Sequence, residues 1–503
     1  MADPRILIVT PEISYLPGEL GNLADHMHAK AGGLADVSSS LVKSLYEAGA
    51  DVHVALPNYR RLFDIDPCKL QDQELRHYHS KLPSDRVHLA EDRVFYFRDH
   101  VYSACTDDNV HCSLVFQREV INNIIPHVRP DIVHCNDWMT GLIPAMARRI
   151  GIPSLFTLHN IHSVKILLEH IEETGIDTSE FWQNFYYQSP PSSYEQTRSS
   201  NPVDMLTSGI FASHWVNTVS PSFLEEITQR QHAAIPNQVC DELLNKQAAG
   251  FASGITNAPD PSYDPSSDDA LTCRFTAQNY VEGKLKNKRS FQEHMGLLPD
   301  DDAPILFWPS RLDPVQKGPE LLSDILAKLV STYCHLGMQI AFVADGSHSH
   351  YIKQIICMEN LSGMVSIKPF DENLSRLGYA ASDFMLMPSK FEPCGLTQMI
   401  ALKYGSLPIV HRTGGLKDTI KQLNTVNSQG NGFVFDDYVC DALEWAVQCA
   451  MDFYQLPPAV KQREIERVIQ QAHSQFTHQK TASHYINLYE EMLGKPLHVD
   501  EPS

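Results

Sequence analysis

Short runs rich in β-branched and aromatic residues recur along the chain, each bounded by turn residues and followed by apolar positions three and four apart. In the first half they begin at Arg5 (RILIVTPE), Val52 (VHVALP), Asp131 (DIVHCND), Pro153 (PSLFTLHN) and Trp215 (WVNTVSP). In the second half they begin at Pro304 (PILFWPS), Met338 (MQIAFVAD), Met364 (MVSIKPF), Asp383 (DFMLMPS), Leu407 (LPIVHRT) and Gly432 (GFVFDD). Continuous apolar runs, rather than alternating ones, predict strands of parallel sheets covered on both faces. Helical patterns between them make βαβ units, so the predicted class is doubly wound α/β. Residues 258–268, APDPSYDPSSD, hold three prolines, three serines and three aspartates and read as a linker. The expected organisation is a Rossmann-like domain over 1–257, the linker with a hinge near 265, a second Rossmann-like domain over 269–476, and a helix and tail over 477–503. On that last helix Ala482, Tyr485, Ile486, Tyr489 and Leu493 share a face, which crossing back to the first domain would bury. A second Pro/Ser-rich stretch, 189–201, reads as a surface loop or lid.

Composition narrows the function. Lys and Arg number 40 against 61 Asp and Glu, a net charge of −21, which repels nucleic acid and leaves small anions only a locally basic cleft. No run reaches ~18 apolar residues, so no membrane span is predicted. The N-terminus reads as a strand and not a signal peptide, which makes the cytoplasm the default location. The 11 cysteines form no CxxC pair, and Cys135, Cys334, Cys357 and Cys449 fall in apolar runs, so reduced core thiols are expected. His77/His79 and His348/His350 come nearest to zinc spacing and read as loops. Asp64/Asp66 and Asp300/Asp302 read as solvated turns, and neither a metal nor another cofactor is predicted.

In doubly wound sheets ligands bind beyond the carboxyl ends of the strands, so the chemistry is sought there, with the two domains facing each other across a cleft. Lys30-Ala31-Gly32-Gly33 opens a helix capped by Gly49 and reads either as a helix cap or as a phosphate site with Lys30 adding charge. Thr413-Gly414-Gly415-Leu416 repeats the device after a strand. Arg311 and Lys317 follow one strand end and fit a diphosphate clamp, or are exposed charges. Glu392 sits before a helix, either aimed into the cleft or favourable to the helix dipole. Asp137, His159 and Asn160 end neighbouring strands, and three convergent polar groups can grip sugar hydroxyls.

KAGGLADV, HCNDW, HN at 159–160, NTVSP, SRL…QKG, PSKFEPCGLTQ and RTGGLKDT stand in the order seen in bacterial glycogen synthases and plant starch synthases. The chain resembles that family over nearly its whole length. The resemblance implies the GT-B fold and transfer of glucose from ADP-glucose, or UDP-glucose, to the non-reducing end of an α-1,4-glucan, with retention. It implies that Arg311 and Lys317 neutralise the leaving diphosphate. Lys30 and the amides of Gly32 and Gly33, with Asp36 in the same motif, are expected near phosphate or sugar. Glu392 is expected to hold glucose or steady positive charge, and Cys394, Gly395, Leu396, Thr413, Gly414 and Gly415 to line the sugar and phosphate pocket. Asp137, His159 and Asn160 are expected at the reaction centre, and Phe370 under the base. The expected partners are a nucleotide sugar and a glucan.

The chain also departs from the family pattern. Residues 18–29 are extra, Met139 follows Asp137-Trp138 where relatives often have His, and Ser163 falls in the altered stretch after Asn160. Lys390 replaces Arg, His411 stands before Arg412-Thr413, and one residue is added between Arg311 and Lys317. GILNG is read on Gly250-Phe251-Ala252-Ser253-Gly254, with loss of a sugar-contacting Asn. The changes at Met139, Ser163 and Ser253 motivate an alternative, a same-fold transferase with a small sugar or sugar-phosphate acceptor. A non-catalytic binding protein is a more distant reading, because the charged groups are retained.

Overall fold

The computed structural model describes residues 3–21, 24–63, 86–233 and 235–497, and among these described residues fifteen strands alternate with helices. Two units are distinguished: Met1–Val219 with Leu224–Ile255 and His478–Ser503, and Thr256–Thr477 with Ser220–Phe223. Asp418 fastens the short second-unit piece, its Oδ1 accepting from the Ser222 hydroxyl at 2.6 Å.

Unit 1 carries β1 (Arg5–Val9), β2 (Asp51–Pro57), β3 (Val87–Ala90), β4 (Ile132–Asn136), β5 (Ser154–Leu158), β6 (Lys165–Ile166), β7 (Val203–Asp204), β8 (Trp215–Thr218) and β9 (Ala252–Gly254). Seven of these form a parallel sheet in the order β3-β2-β1-β4-β5-β8-β9, and β6 and β7 pair apart. Unit 2 carries β10 (Ile305–Trp308), β11 (Gln339–Val343), β12 (Val365–Lys368), β13 (Phe384–Met387), β14 (Leu407–His411) and β15 (Phe433–Phe435), all parallel, in the order β12-β11-β10-β13-β14-β15. Counted within each sheet, both begin 3-2-1-4-5-6, the Rossmann order. Every residue of β4, β5, β10, β11 and β13 is buried, as their unbroken apolar sequence predicts.

Five helices carry or adjoin the candidate residues of the two units: α1 (Gly33–Glu47), α2 (Pro319–Thr332), α3 (Thr397–Lys403), α4 (Gly414–Thr419) and α5 (His478–Leu493). Leu34, Val37, Leu41, Val42 and Leu45 of α1 are buried, and Gly49 ends it with φ of 85°, a value that favours glycine. The helix α5 belongs to unit 1 and packs against α1. Its buried face is Thr481, Ala482, Tyr485, Leu488 and Tyr489, rotated from the predicted stripe because Ile486 and Leu493 are only half-buried. Two hydroxyls on this face meet polar groups of the sheet. Tyr489 is 2.7 Å from His134 Nδ1, and Tyr485 accepts from Asn217 Nδ2 at 3.1 Å.

Several local expectations change. The 258–268 stretch is fastened to unit 2: Arg376 pairs with the buried Asp268 at 3.2 Å, and the Tyr404 hydroxyl donates to the same carboxylate. The 189–201 stretch contains a helix, Tyr194–Ser200, and its ends are tied by the Asn201 side-chain amide bonding both ways to the Ser189 backbone, at 2.7 and 3.1 Å. Cys334 and Cys357 are exposed, Cys357 because its helix, Ser349–Met358, buries only Ile352. His348 and His350 lie at the start of that helix, His348 Nε2 being 2.9 Å from Ser323 Oγ. Asp300 accepts from the Asp302 amide at 2.9 Å, closing a turn. Asp64, Asp66, His77 and His79 lie outside the described residues.

Candidate active site

Where strand order reverses in a doubly wound sheet, the loops beyond two neighbouring carboxyl ends diverge and leave a crevice. In unit 1 this point lies between β1 and β4. The chain leaving β1 places Glu12 there, 3% exposed. Glu12 Oε2 accepts from the amides of Ala31 at 2.8 Å and Gly32 at 2.9 Å, and Oε1 accepts from the Tyr102 hydroxyl at 3.0 Å. Burial pushes this carboxyl up, while its hydrogen bonds pull it down. Lys30 is exposed and pairs with Asp36 on the first turn of α1 at 3.0 Å. The Gly32 amide expected to meet a phosphate is thus engaged by a carboxylate, while Gly33 is exposed at the start of α1. A Cβ on Gly32 meets nothing within 4 Å, and its φ of −160° suits any residue, so the fold itself does not require glycine there.

Asp137 follows β4 with φ 57° and ψ −178°, a conformation essentially reserved for glycine that costs ~1–3 kcal/mol. Its side chain over-determines the strain: Oδ1 accepts from the amides of His159 at 2.7 Å and Asn160 at 3.2 Å. Burial pushes its carboxyl up to about 7. His159 follows β5 with Nε2 2.9 Å from Asn136 Oδ1, and Asn136 Nδ2 donates to the Val9 carbonyl at 3.1 Å. A carbonyl only accepts, so Asn136 Oδ1 faces His159 and the imidazole carries its hydrogen on Nε2. Burial pushes this ring down to about 3, so His159 is neutral at pH 7, with Nδ1 an acceptor. Asn160 beside it is exposed.

In unit 2 the reversal lies between β10 and β13. Arg311, beyond β10, is exposed and has no ion-pair partner among the described residues. Lys317 Nζ lies 2.6 Å from Glu392 Oε2, which also accepts from the Ser389 hydroxyl at 3.2 Å. Gly318 makes this approach possible: with φ of 70°, its Cβ would stand 2.2 Å from the Pro388 carbonyl oxygen. Lys390 holds the longer 311–317 loop, its amide donating to Gln316 O at 2.8 Å and its ammonium reaching Pro314 O at 3.0 Å and Glu320 Oε1 at 2.6 Å. The loop leaves Val315 70% exposed.

The segment after Glu392 is shaped by glycines. Cys394 is buried, which pushes its thiol up to about 12, and Gly395, with φ of 67°, turns the chain into Leu396 and α3. Thr413 caps α4, and the pair that follows sits against the Glu392 segment. A Cβ on Gly414 would lie 2.0 Å from Glu392 O, and one on Gly415 1.9 Å from Cys394 O. The Gly415 amide donates to Glu392 O at 2.9 Å, so this pair sets the shape of the Glu392 loop. Phe370 follows β12 and is 53% exposed.

The departures on the first half are built into unit 1. Met139 is 1% exposed, Ser163 bonds Asp204 at 2.7 Å and the Leu206 amide at 3.1 Å, and Ser253 accepts from the Trp215 indole at 3.3 Å. The placement of GILNG on 250–254 is corrected: Gly254-Ile255-Thr256-Asn257-Ala258 matches its Gly, Ile and Asn in register, whereas 250–254 matches only the glycines. Asn257 is 4% exposed, its Oδ1 has no hydrogen-bond partner among the described residues, and its backbone contacts the Cys394 thiol. Glu12, Tyr102, Asn136 and Asn257 were missed in the sequence. Glu12 and Asn136 could have been found from their places at strand ends. Tyr102 carries no local signal.

Profiles of two families match the chain: starch synthase catalytic domain over residues 5–238, and glycosyl transferases group 1 over 291–466. The glycogen synthase of Moorella thermoacetica is 33% identical over 98% of this chain and 97% of its own length. The chain belongs to the glycogen synthase family. The glycogen synthase of Exiguobacterium sibiricum is 31% identical over 92% of this chain and 95% of its own. Membership makes this glycogen synthase family chain a glycosyltransferase. The catalytic domain of starch synthase IV from Arabidopsis thaliana, solved with ADP and acarbose, shares its fold, with a TM-score of 0.76 over 98% of this chain and all of that one at 24% identity. Among the described residues no helix is long and apolar enough to cross a membrane.

Proposed function

We propose that this family member transfers glucose from ADP-glucose, with UDP-glucose as the competing donor, to the non-reducing end of an α-1,4-glucan with retention, in the cytoplasm. The observation that carries the reading is the Lys317–Glu392 contact of 2.6 Å at the strand reversal of unit 2, with exposed Arg311 on the adjoining strand end. When glucose leaves a diphosphate, the C1–O bond breaks with its electrons going to the phosphate oxygen. Negative charge grows there and positive charge on C1. Arg311 and Lys317 stabilise the first and Glu392 the second, the last two already fixed in place by their mutual contact. Lys317 keeps donors beyond its bond to Glu392 for the phosphate.

Neither Glu392, held by Lys317 and Ser389, nor Asp137, held by two amides, is set up as a free nucleophile. Retention then follows a front-face course. The acceptor hydroxyl attacks C1 on the side the diphosphate leaves, and its proton passes to the departing phosphate oxygen. In unit 1, Asp137, His159 and Asn160 serve sugar hydroxyls, and Lys30 and Asp36, with Gly32 and Gly33 letting the ligand approach, serve phosphate or sugar. Cys394, Gly395, Leu396, Thr413, Gly414 and Gly415 form the wall around Glu392, and Phe370 stacks on the base.

The test is release of nucleoside diphosphate and labelled glucan from ADP- or UDP-glucose with glycogen. The small-acceptor reading rested on Met139, Ser163 and Ser253, which pack within unit 1. A panel of sugars and sugar phosphates decides between them: glycogen inert with a small sugar consumed overturns the glucan reading.

A further inference from the structure

We infer that Glu12 is a positioning residue for the reaction proposed above, and this rests on that reading: its carboxylate holds the 30–33 turn in shape and fixes the direction of the Tyr102 hydroxyl proton. One buried side chain here ties three separate segments together. The Ala31 and Gly32 amides reach the same oxygen, Oε2, across 19 and 20 residues of sequence, and Tyr102 reaches the other oxygen across 90. The turn enters from a backbone pairing of Ile13 with Ala29, at 2.8 and 3.0 Å, and its next two amides after Lys30 go to Glu12. Lys30, exposed and paired to Asp36, and Gly33, exposed at the start of α1, flank those two amides. Holding this backbone therefore sets where the lysine and the glycine stand. A carboxylate near the start of α1 is also favoured by the helix dipole.

The tyrosine contact carries a second consequence. The Tyr102 O–H donates to Glu12 Oε1 at 3.0 Å and so points at Glu12. Tyr102 is 37% exposed as a residue, while its hydroxyl is buried and kept protonated by that burial, so lone pairs are all that the oxygen has left to offer a ligand. It acts towards a sugar hydroxyl as an acceptor, and Glu12 makes it so.

Glu12→Gln and Glu12→Ala separate these effects. In Glu12→Gln the single carbonyl oxygen still takes both turn amides, while the NH2 faces Tyr102 and forces its hydroxyl to accept and to turn its proton outward. In Glu12→Ala the amides lose their acceptor. The readouts are thermal melting, hydrogen–deuterium exchange of the peptide covering 27–34, and separate KM and kcat values for nucleotide sugar and glycogen. Glu12→Ala is expected to speed exchange in the turn and raise donor KM by about tenfold each, the size of one lost hydrogen bond. Glu12→Gln is expected to restore both to near wild type while raising glycogen KM several-fold, an effect absent when Tyr102 is already Phe. A folded Glu12→Ala protein with wild-type exchange and KM overturns the inference, as does Glu12→Gln no better than Glu12→Ala on donor KM. If the wild type turns over neither nucleotide sugar, the function reading fails and the kinetic half falls with it. The exchange comparison then still decides whether Glu12 holds the turn.

Discussion

Lys317 and Glu392 neutralise each other with 13% and 7% of their side chains exposed. Removing the ammonium alone leaves a shielded carboxylate with the Ser389 hydroxyl, and an unpaired buried charge destabilises a fold. Lys317→Ala is expected to cut turnover by ~10²–10³ and to lower Tm as well. The double variant Lys317→Ala/Glu392→Gln should recover Tm but not turnover; melting curves beside diphosphate-release assays check this. Asp137 gives a pH signature. Its folded carboxyl is raised from 3.8 to about 7, so across that window the native state keeps a proton that the unfolded chain has released. Stability from this group therefore falls as pH rises from 4 towards 7. Asp137→Asn keeps an oxygen for the two amides and removes the titration. Urea midpoints from about pH 4 to about pH 7 should decline more steeply in the wild type than in the variant. Parallel curves would refute the assignment.

At the scale of elements, two glycine turns that look alike in sequence do different work. Gly415→Ala drives a Cβ to 1.9 Å from Cys394 O, so α4 and the Glu392 loop must move apart. Lower Tm and lower activity are expected together. Gly32→Ala meets nothing within 4 Å, so Tm should hold while donor KM rises if the turn admits a ligand there. Paired melts and kinetics separate the two. Sequence patterns could not tell these turns apart, because the difference lies in what packs on them. The buried strands were legible, since an apolar run with turns at both ends is itself the signature of a covered strand. The edge strand β9, Ala-Ser-Gly, was not: it has no β-branched residue and is a strand only because β8 offers a partner. Lys317 and Glu392 were legible as strand-end charges. Tyr102 was not, for its role exists only through a carboxylate 90 residues away. Asn257 was hidden by a motif set four residues too early.

For the molecule as a whole, the sheet of unit 1 depends on a helix from the far end of the sequence. His134, 1% exposed in the middle of β4, meets the Tyr489 hydroxyl across 355 residues. Tyr489→Phe strips that imidazole nitrogen of its partner and should cost ~1–3 kcal/mol, read from urea unfolding. An unchanged midpoint would mean that water or a ring shift replaces the bond. The order of synthesis follows from the same contact. All of Thr256–Thr477 leaves the ribosome before α5 does, so the nascent β4 and β8 wait with His134 Nδ1 and one Asn217 amide contact lacking their tyrosine partners. The sheet that is translated first is the one completed last, and only after the whole of unit 2 has been made.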